Sequence, residues 1–179
     1  MLNISSLGLR SLKEVNIPED ITKLDCRDNE LETLEELDKC INLTELYCDN
    51  NKIKSLKGIE KCINLTELYC NNNELETLEV IEKCVNLTEL DCSYNKIETL
   101  EGIEKCNKLT ILDCSYNGLR ELKYCPESIE YIRYDNNPIK VQLEQVGYRG
   151  RDIGEIHRIN KERWERCIYK VVMKEDNFI

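Results

Sequence analysis

Residues 43–64 read LTELYCDNNKIKSLKGIEKCIN, and residues 65–86 read LTELYCNNNELETLEVIEKCVN. Fourteen of the 22 aligned positions are identical, and a third copy, LTELDCSYNKIETLEGIEKCNK, fills 87–108. A chain that repeats itself at this period builds one supersecondary unit several times, and a unit that short cannot cover its own apolar face. The copies must therefore stack, each coil shielding the flank of the one before.

The full register is L-x-x-L-x-C-x-x-N-x-(L/I)-x-x-L-x-x-(L/I)-x-x-C-x-N. Its first column is Ile21, Leu43, Leu65, Leu87, Leu109 and Ile129, and its second is Leu24, Leu46, Leu68, Leu90, Leu112 and Ile132. The segment L-x-x-L-x-C turns alternate residues inward, the period-2 signature of a short strand. The Asn column that follows (Asn29, Asn51, Asn73, Asn95, Asn117, Asn137) is polar at an inward position. It is tolerable there only if each amide pairs with backbone groups of the adjacent coil. From Leu31 through Leu34, Leu37 and Cys40 the apolar spacing becomes three, which suits a tight 3₁₀-like return.

These columns resemble the leucine-rich repeat family, in its 22-residue class, to which bacterial internalins and a regulatory subunit of a nuclear protein phosphatase belong. The resemblance covers about residues 20–141, with Cys standing for Leu at two repeat positions. It implies an α/β fold: a right-handed solenoid with a parallel β-sheet on its concave face and a 3₁₀ or irregular convex side.

Both ends depart from the register. Leu2 and Ile4 lie 22 residues before Leu24 and Cys26, and Leu9 lies 22 before Leu31, but Leu7 falls where Asn belongs. Residues 1–20 are read as an N-terminal cap and degenerate first coil, and 21–141 as about six coils. Stretches 17–26 (IPEDITKLDC) and 125–134 (CPESIEYIRY) each place Pro three residues before the apolar residue that opens a strand. They look like the shorter Pro-containing repeat of bacterial effector proteins. After Ile139 the register fails at Gln142, and from Asp152 the apolar residues adopt helical spacing through Val172. Residues 142–179 are expected to form a C-terminal cap, with a helix over about 152–173 and Trp164 packed on the last coil, because an end coil exposes a raw apolar edge.

The formal net charge is −10, and residues 1–141 carry the acidity, with 17 Lys/Arg against 28 Asp/Glu. Such a chain repels phosphates and anionic lipid, which disfavours nucleic acid and membrane surfaces as partners. No apolar run has the length of a membrane span, and the start lacks a basic region followed by an apolar stretch, so a cytoplasmic monomer is expected. Nine of the eleven cysteines fall in two columns stepping by 22, Cys26 to Cys114 and Cys40 to Cys106. Parallel rows do not converge on a metal, and stacked strands hold their side chains wider apart than a disulfide requires. The thiols are read as small buried core residues, with no metal and no cofactor.

Catalysis has little to stand on. The lone His157 and Cys167 lie about 280° apart around a helix, so they do not face each other, and no Gly-rich phosphate loop is present. No enzyme is expected. What the strands offer is a surface. Outward positions place Glu45, Glu67, Glu89, Ile111 and Tyr131 in one row and Tyr47, Tyr69, Asp91, Asp113 and Arg133 in another, with Asp49, Tyr94 and Tyr116 at the strand exits. Tyrosines among carboxylates on a rigid sheet make a protein-binding face for a partner with a basic surface. The alternatives are a host-directed effector of a pathogen or giant virus, which would act in host cytoplasm, and a structural, self-associating module.

Overall fold

The computed structural model describes residues 1–139. Seven strands run through them: β1 (Leu2–Asn3), β2 (Lys23–Asp25), β3 (Glu45–Tyr47), β4 (Glu67–Tyr69), β5 (Glu89–Asp91), β6 (Ile111–Asp113) and β7 (Tyr131–Arg133). They form one parallel sheet in sequence order, each strand pairing only with its neighbours in the chain. The register follows the repeat. Leu2 pairs with Leu24, Leu24 with Leu46, Leu46 with Leu68, and so on to Ile132. The degenerate first coil is thus a true member of the stack. The expected C-terminal helix, Trp164 and His157 lie outside the described residues.

Inside, the Leu, Ile and Cys columns form one continuous core, and nearly all of its side chains from Leu24 to Leu122 are fully buried. The return path is built from the spacing of three. Short 3₁₀ turns cover Glu35–Lys39, Glu79–Lys83 and Ile103–Lys105, each with its backbone closed back on the buried Leu or Ile of that turn. Gly58 and Gly102 occupy the place filled by Glu36 and Val80 in alternate coils, and they have φ of +109° and +105°. A Cβ there would lie 2.1 Å from the Leu34 carbonyl oxygen and 2.7 Å from that of Leu78. The bulkier 3₁₀ turn of one coil therefore nests against the glycine of the next. The Pro-containing coil is shorter on this side: Leu112 to Ile132 spans 20 residues, yet strand pairing is undisturbed. Pro126 takes the place of the second-column Cys, and the Ile129 N–H donates to its carbonyl at 3.3 Å, as Leu109 does to Cys106 at 3.0 Å.

The inward asparagines tie coil to coil. Asn73 Nδ2 donates to the carbonyls of Cys70 (3.1 Å) and Asn71 (3.3 Å) in its own coil and of Cys48 (3.0 Å) in the preceding one. Its Oδ1 accepts the Ile53 N–H at 2.9 Å. Asn51, Asn95, Asn117 and Asn137 repeat the pattern, and Asn29 extends it to the first coil, accepting from Leu7 and Leu9 and donating to Ile4. One amide thus satisfies backbone groups that the curving chain cannot pair with itself. Leu7, which holds the Asn position of the first coil, is exposed.

The nine column cysteines are buried and free. Several thiols are also directed at backbone carbonyls of the adjacent coil: Cys26 to Tyr47 and Cys70 to Asp91 at 3.4 Å, Cys114 to Arg133 at 3.2 Å, and Cys62 to Cys40 at 3.5 Å. Burial pushes every one of them above the ordinary thiol value of 9.0, Cys26, Cys62 and Cys84 up to about 12 and Cys106 up to about 11. A thiolate is the reactive form, so these sulfurs are suited to packing and not to nucleophilic or metal chemistry.

Two expected outcomes test this architecture. Asn73→Ala leaves the buried Ile53 N–H unpaired and takes one of two donors from the carbonyls of Cys48, Cys70 and Asn71, which keep Asn51, Asn95 and the Asn50 N–H, and should cost about 3 kcal/mol in urea unfolding. Asn64→Ala removes one exposed bond to the Ile41 carbonyl and should cost less than about 1 kcal/mol. The thiols give a pH dependence. Their folded pKa is raised, so the folded chain holds protons that the unfolded chain releases above about 9, and the stabilisation is complete below that pH and lost as pH climbs toward 11–12. Each thiol contributes a slope of roughly 1.4 kcal/mol per pH unit in that range. Replacing Cys48 and Cys70 together by Ala should lower stability at pH 7 yet flatten its decline between pH 9 and 10.5 by roughly 3 kcal/mol per unit; an unchanged slope would refute the assignment.

Candidate protein-binding face

The residues flanking each central strand Leu point away from the core and fall into rows because the register is exact in steps of the repeat. Glu45, Glu67, Glu89, Ile111 and Tyr131 are successive cross-strand partners, and so are Tyr47, Tyr69, Asp91, Asp113 and Arg133. The structure brings all ten onto one face. Asp49, Tyr94 and Tyr116 follow at the strand exits, where residues two and three past each strand turn the chain toward the inward Asn.

The two halves of the face differ. In the first half the polar groups are engaged with one another. Lys23 pairs with Glu45, whose carboxyl is held below its usual value by that ammonium. The Tyr47 hydroxyl donates to Glu45 at 3.1 Å and to Glu67 at 3.4 Å. Burial, followed by these carboxylates, pushes the Tyr47 phenol up to about 12, and burial with a hydrogen bond to Glu89 raises Tyr69 as well. The Tyr47 and Tyr69 rings lie nearly parallel with centroids 5.0 Å apart. At the N-terminal margin, Arg27 forks onto Asp25 through Nε (2.9 Å) and Nη2 (2.8 Å), and its guanidinium stands 5.5 Å from the centre of the Tyr47 ring.

The second half is aromatic and more open. Tyr94 and Tyr116 are 48% and 44% exposed, with ring centroids 4.0 Å apart and planes 10° from parallel. Ile111 and Tyr131 are 40% and 45% exposed and interrupt the Glu row. Below them Asp91 accepts from the Ser93 N–H (3.0 Å) and hydroxyl (2.7 Å), and its burial nonetheless raises its carboxyl pKa. Asp113 accepts from the Ser115 N–H at 3.0 Å and lies 3.5 Å from Arg133. Asp49, half-buried, is raised by burial too.

Three outward positions are covered. Asp25 is only 1% exposed, roofed by Arg27 and reached by the Asn3 amide at 3.3 Å. Ser93 and Ser115 are buried as well. Period-2 alternation gives the side of the sheet a residue occupies but not what its neighbours lay over it. The Asp25–Arg27 fork had one legible signal, opposite charges two apart on the same strand face. The unusual backbone of Tyr94 and Tyr116 had another: they share a column with Asp28, Asn50, Asn72 and Asn136, residues that accept positive φ.

Along the opposite margin of the strands a shallow groove is lined by Thr22, Thr44, Thr66 and Thr88 with Asn42, Asn64 and Asn86. Its hydroxyls donate to the carbonyl of the preceding Thr at 2.9–3.2 Å, so its polar groups serve the stack. Among the described residues no group of three or more His, Cys, Asp or Glu side chains is placed to hold a metal, and no helix is long and apolar enough to cross a membrane.

Comparison with known proteins supports the same architecture. The family model for leucine-rich repeats in two copies matches four overlapping stretches, 19–61, 41–83, 63–105 and 85–124, more than half of the chain. No curated protein matches. Among solved structures, the chain is similar to the leucine-rich repeat domain of APL1B (25% identity, TM-score 0.66, covering 76% of this chain and 43% of that one). It is also similar to the functional domain of InlJ from Listeria monocytogenes, described as including a cysteine ladder (29%, TM-score 0.56, 66% and 25%). The internalin InlF from the same organism shares the fold (19%, TM-score 0.58, 65% and 34%). The chain thus spans less than half the length of each of these structures. On the family match, with seven stacked strands and the bridging asparagine column, this chain belongs to the leucine-rich repeat family.

Proposed function

We propose that the chain is a non-enzymatic recognition module whose sheet face holds a protein partner with a basic surface. The observation that carries this reading is the pre-organised row of carboxylates and tyrosines over β3 to β5. The side chains are already fixed by Lys23–Glu45, Tyr47–Glu45 and Tyr47–Glu67 contacts, so a partner would meet aromatic anchors with little rotamer freedom left to lose. The excess of acidic residues over the repeats would speed encounter with a basic partner and repel nucleic acid and anionic membrane. Leucine-rich repeat domains generally serve as protein-binding scaffolds, which agrees with this reading. We further propose that the chain acts as a monomer in the cytoplasm, with residues 142–179 closing the open end of the stack.

The test compares two triple variants of equal charge change. Glu45→Lys, Glu67→Lys and Glu89→Lys reverse the face; Glu76→Lys, Glu98→Lys and Glu101→Lys reverse exposed positions on the return side. With each variant checked for an unchanged circular dichroism spectrum, a partner captured on the wild-type chain should bind the face variant at least roughly tenfold more weakly and the control variant almost unchanged. Equal losses in both, or none in either, would refute the face as the site.

A further inference from the structure

Seven residues in one column adopt left-handed backbone, with φ between 52° and 56°. Five of them are Ser6, Asp28, Asn50, Asn72 and Asn136, small polar residues that tolerate this conformation; the other two are Tyr94 and Tyr116. For a bulky side chain such a φ is costly, and it persists only where the surroundings enforce it. The stack does not require tyrosine there, since Asn serves in three other coils. These two residues are also neighbours, stacked and nearly half exposed, on the half of the face where Ile111 and Tyr131 interrupt the Glu row.

The chemistry that this patch would accept is already displayed at the other end of the same face. There Arg27 lies against the Tyr47 ring and forks onto Asp25. The cation–ring contacts among the described residues are Arg27 with Tyr47 and Lys123 with Tyr124, and neither involves Tyr94 or Tyr116. The carboxylate beside the pair is Asp113, which Arg133 approaches at 3.5 Å without forking onto it. Next to it the hydroxyl of Ser115, 5% exposed, has no partner among the described residues, whereas the equivalent Ser93 hydroxyl is bonded to Asp91.

We propose that the Tyr94–Tyr116 pair is the anchor of the binding face and takes an arginine side chain of the protein partner, its guanidinium stacked on the rings and directed at Asp113, its aliphatic stem against Ile111 and Tyr131. This rests on the reading of the sheet face as the binding surface. A planar guanidinium suits the site better than an ammonium, because it stacks on an aromatic face while its N–H groups still reach a carboxylate in the ring plane. Arg133 competes for the same carboxylate, so its removal should improve the site.

The experiment titrates the full chain, with ¹³C-labelled tyrosine rings, with an acetylated and amidated five-residue peptide carrying two arginines around a leucine, and with its lysine twin. Ring signals are assigned from the variants Tyr94→Asn and Tyr116→Asn, which install the residue other coils use and should keep or slightly raise the melting temperature. The arginine peptide should shift the Tyr94 and Tyr116 signals with a Kd on the order of millimolar. The lysine twin should bind at least fivefold more weakly, the two Asn variants should abolish the response, and Arg133→Gln should tighten it two- to threefold. Equal binding of both peptides, shifts confined to Tyr47 and Tyr69, or a response that survives both Asn substitutions would overturn the proposal. So would signals already at their bound positions without peptide that are released by Arg149→Ala with Arg151→Ala, since the chain's own arginines would then be the occupant. If a captured partner is lost on reversing Glu45, Glu67 and Glu89 but retained by the Tyr94→Asn/Tyr116→Asn double variant, the face binds and this anchor is wrong; if both retain it, both readings fall.

Discussion

Every coil of this molecule is obliged to present the same cross-section as the one beneath it, and the asparagine column is where that obligation is enforced. Each Asn amide reaches a carbonyl three residues back in its own coil and one in the preceding coil, and accepts an N–H from that earlier coil. A coil shifted by one residue would turn its apolar columns outward and leave those amides buried without partners. Hydrophobic burial drives the stacking and already opposes a one-residue slip. The asparagines add a directional requirement to it, and together they select the register that aligns the outward rows.

That alignment explains why so much could be read from the chain. Burial along Leu24, Leu46 and Leu68, the 3₁₀ return after Leu34, and the membership of Leu2 and Ile4 in a first coil all follow from spacing alone, because a residue's place in the period decides its environment. The outward rows follow too, since cross-strand neighbours differ by one period. What spacing does not contain is the length of the side chain next door. Asp25 stands in an outward row yet is buried, because Arg27 folds back over it and Asn3 reaches across. Ser93 also stands in an outward row and is buried. Spacing also does not show that the column Asp28, Asn50, Asn72 is left-handed, although the residue types there are the ones that tolerate it. Once the backbone is known, tyrosine in that column changes from an ordinary aromatic to a costly one.

The same contrast divides the face. Over β3 and β4 the carboxylates and phenols satisfy each other, giving a rigid surface with few uncommitted groups. Over β6 and β7 apolar and aromatic groups remain in contact with water. A surface of this kind gains electrostatic attraction from its first half and desolvation energy from its second. The two contributions depend differently on salt, because only the first is screened.

The cysteine columns show how the stack accommodates a smaller core residue. Replacing Leu by Cys removes roughly two buried carbon groups, on the order of 1.6 kcal/mol of transfer free energy at each position. Part of that is recovered in ways leucine cannot match. The thiol is a weak donor, and Cys26, Cys70 and Cys114 direct theirs at carbonyls of the following strand. Those strand carbonyls thereby gain a second partner beyond the ladder bond, as when the Cys26 N–H and Sγ both meet the Tyr47 oxygen. The thiol also occupies less width, so the strand and its return can approach without a cavity, and a cavity would cost more than the lost methyl groups. Substitution of the whole column is easier to accommodate than substitution of one member. A single Cys among leucines would leave a gap between larger neighbours, whereas a row of identical side chains in register keeps every coil the same width. The repeat therefore changes its core residue as a column, and the period survives.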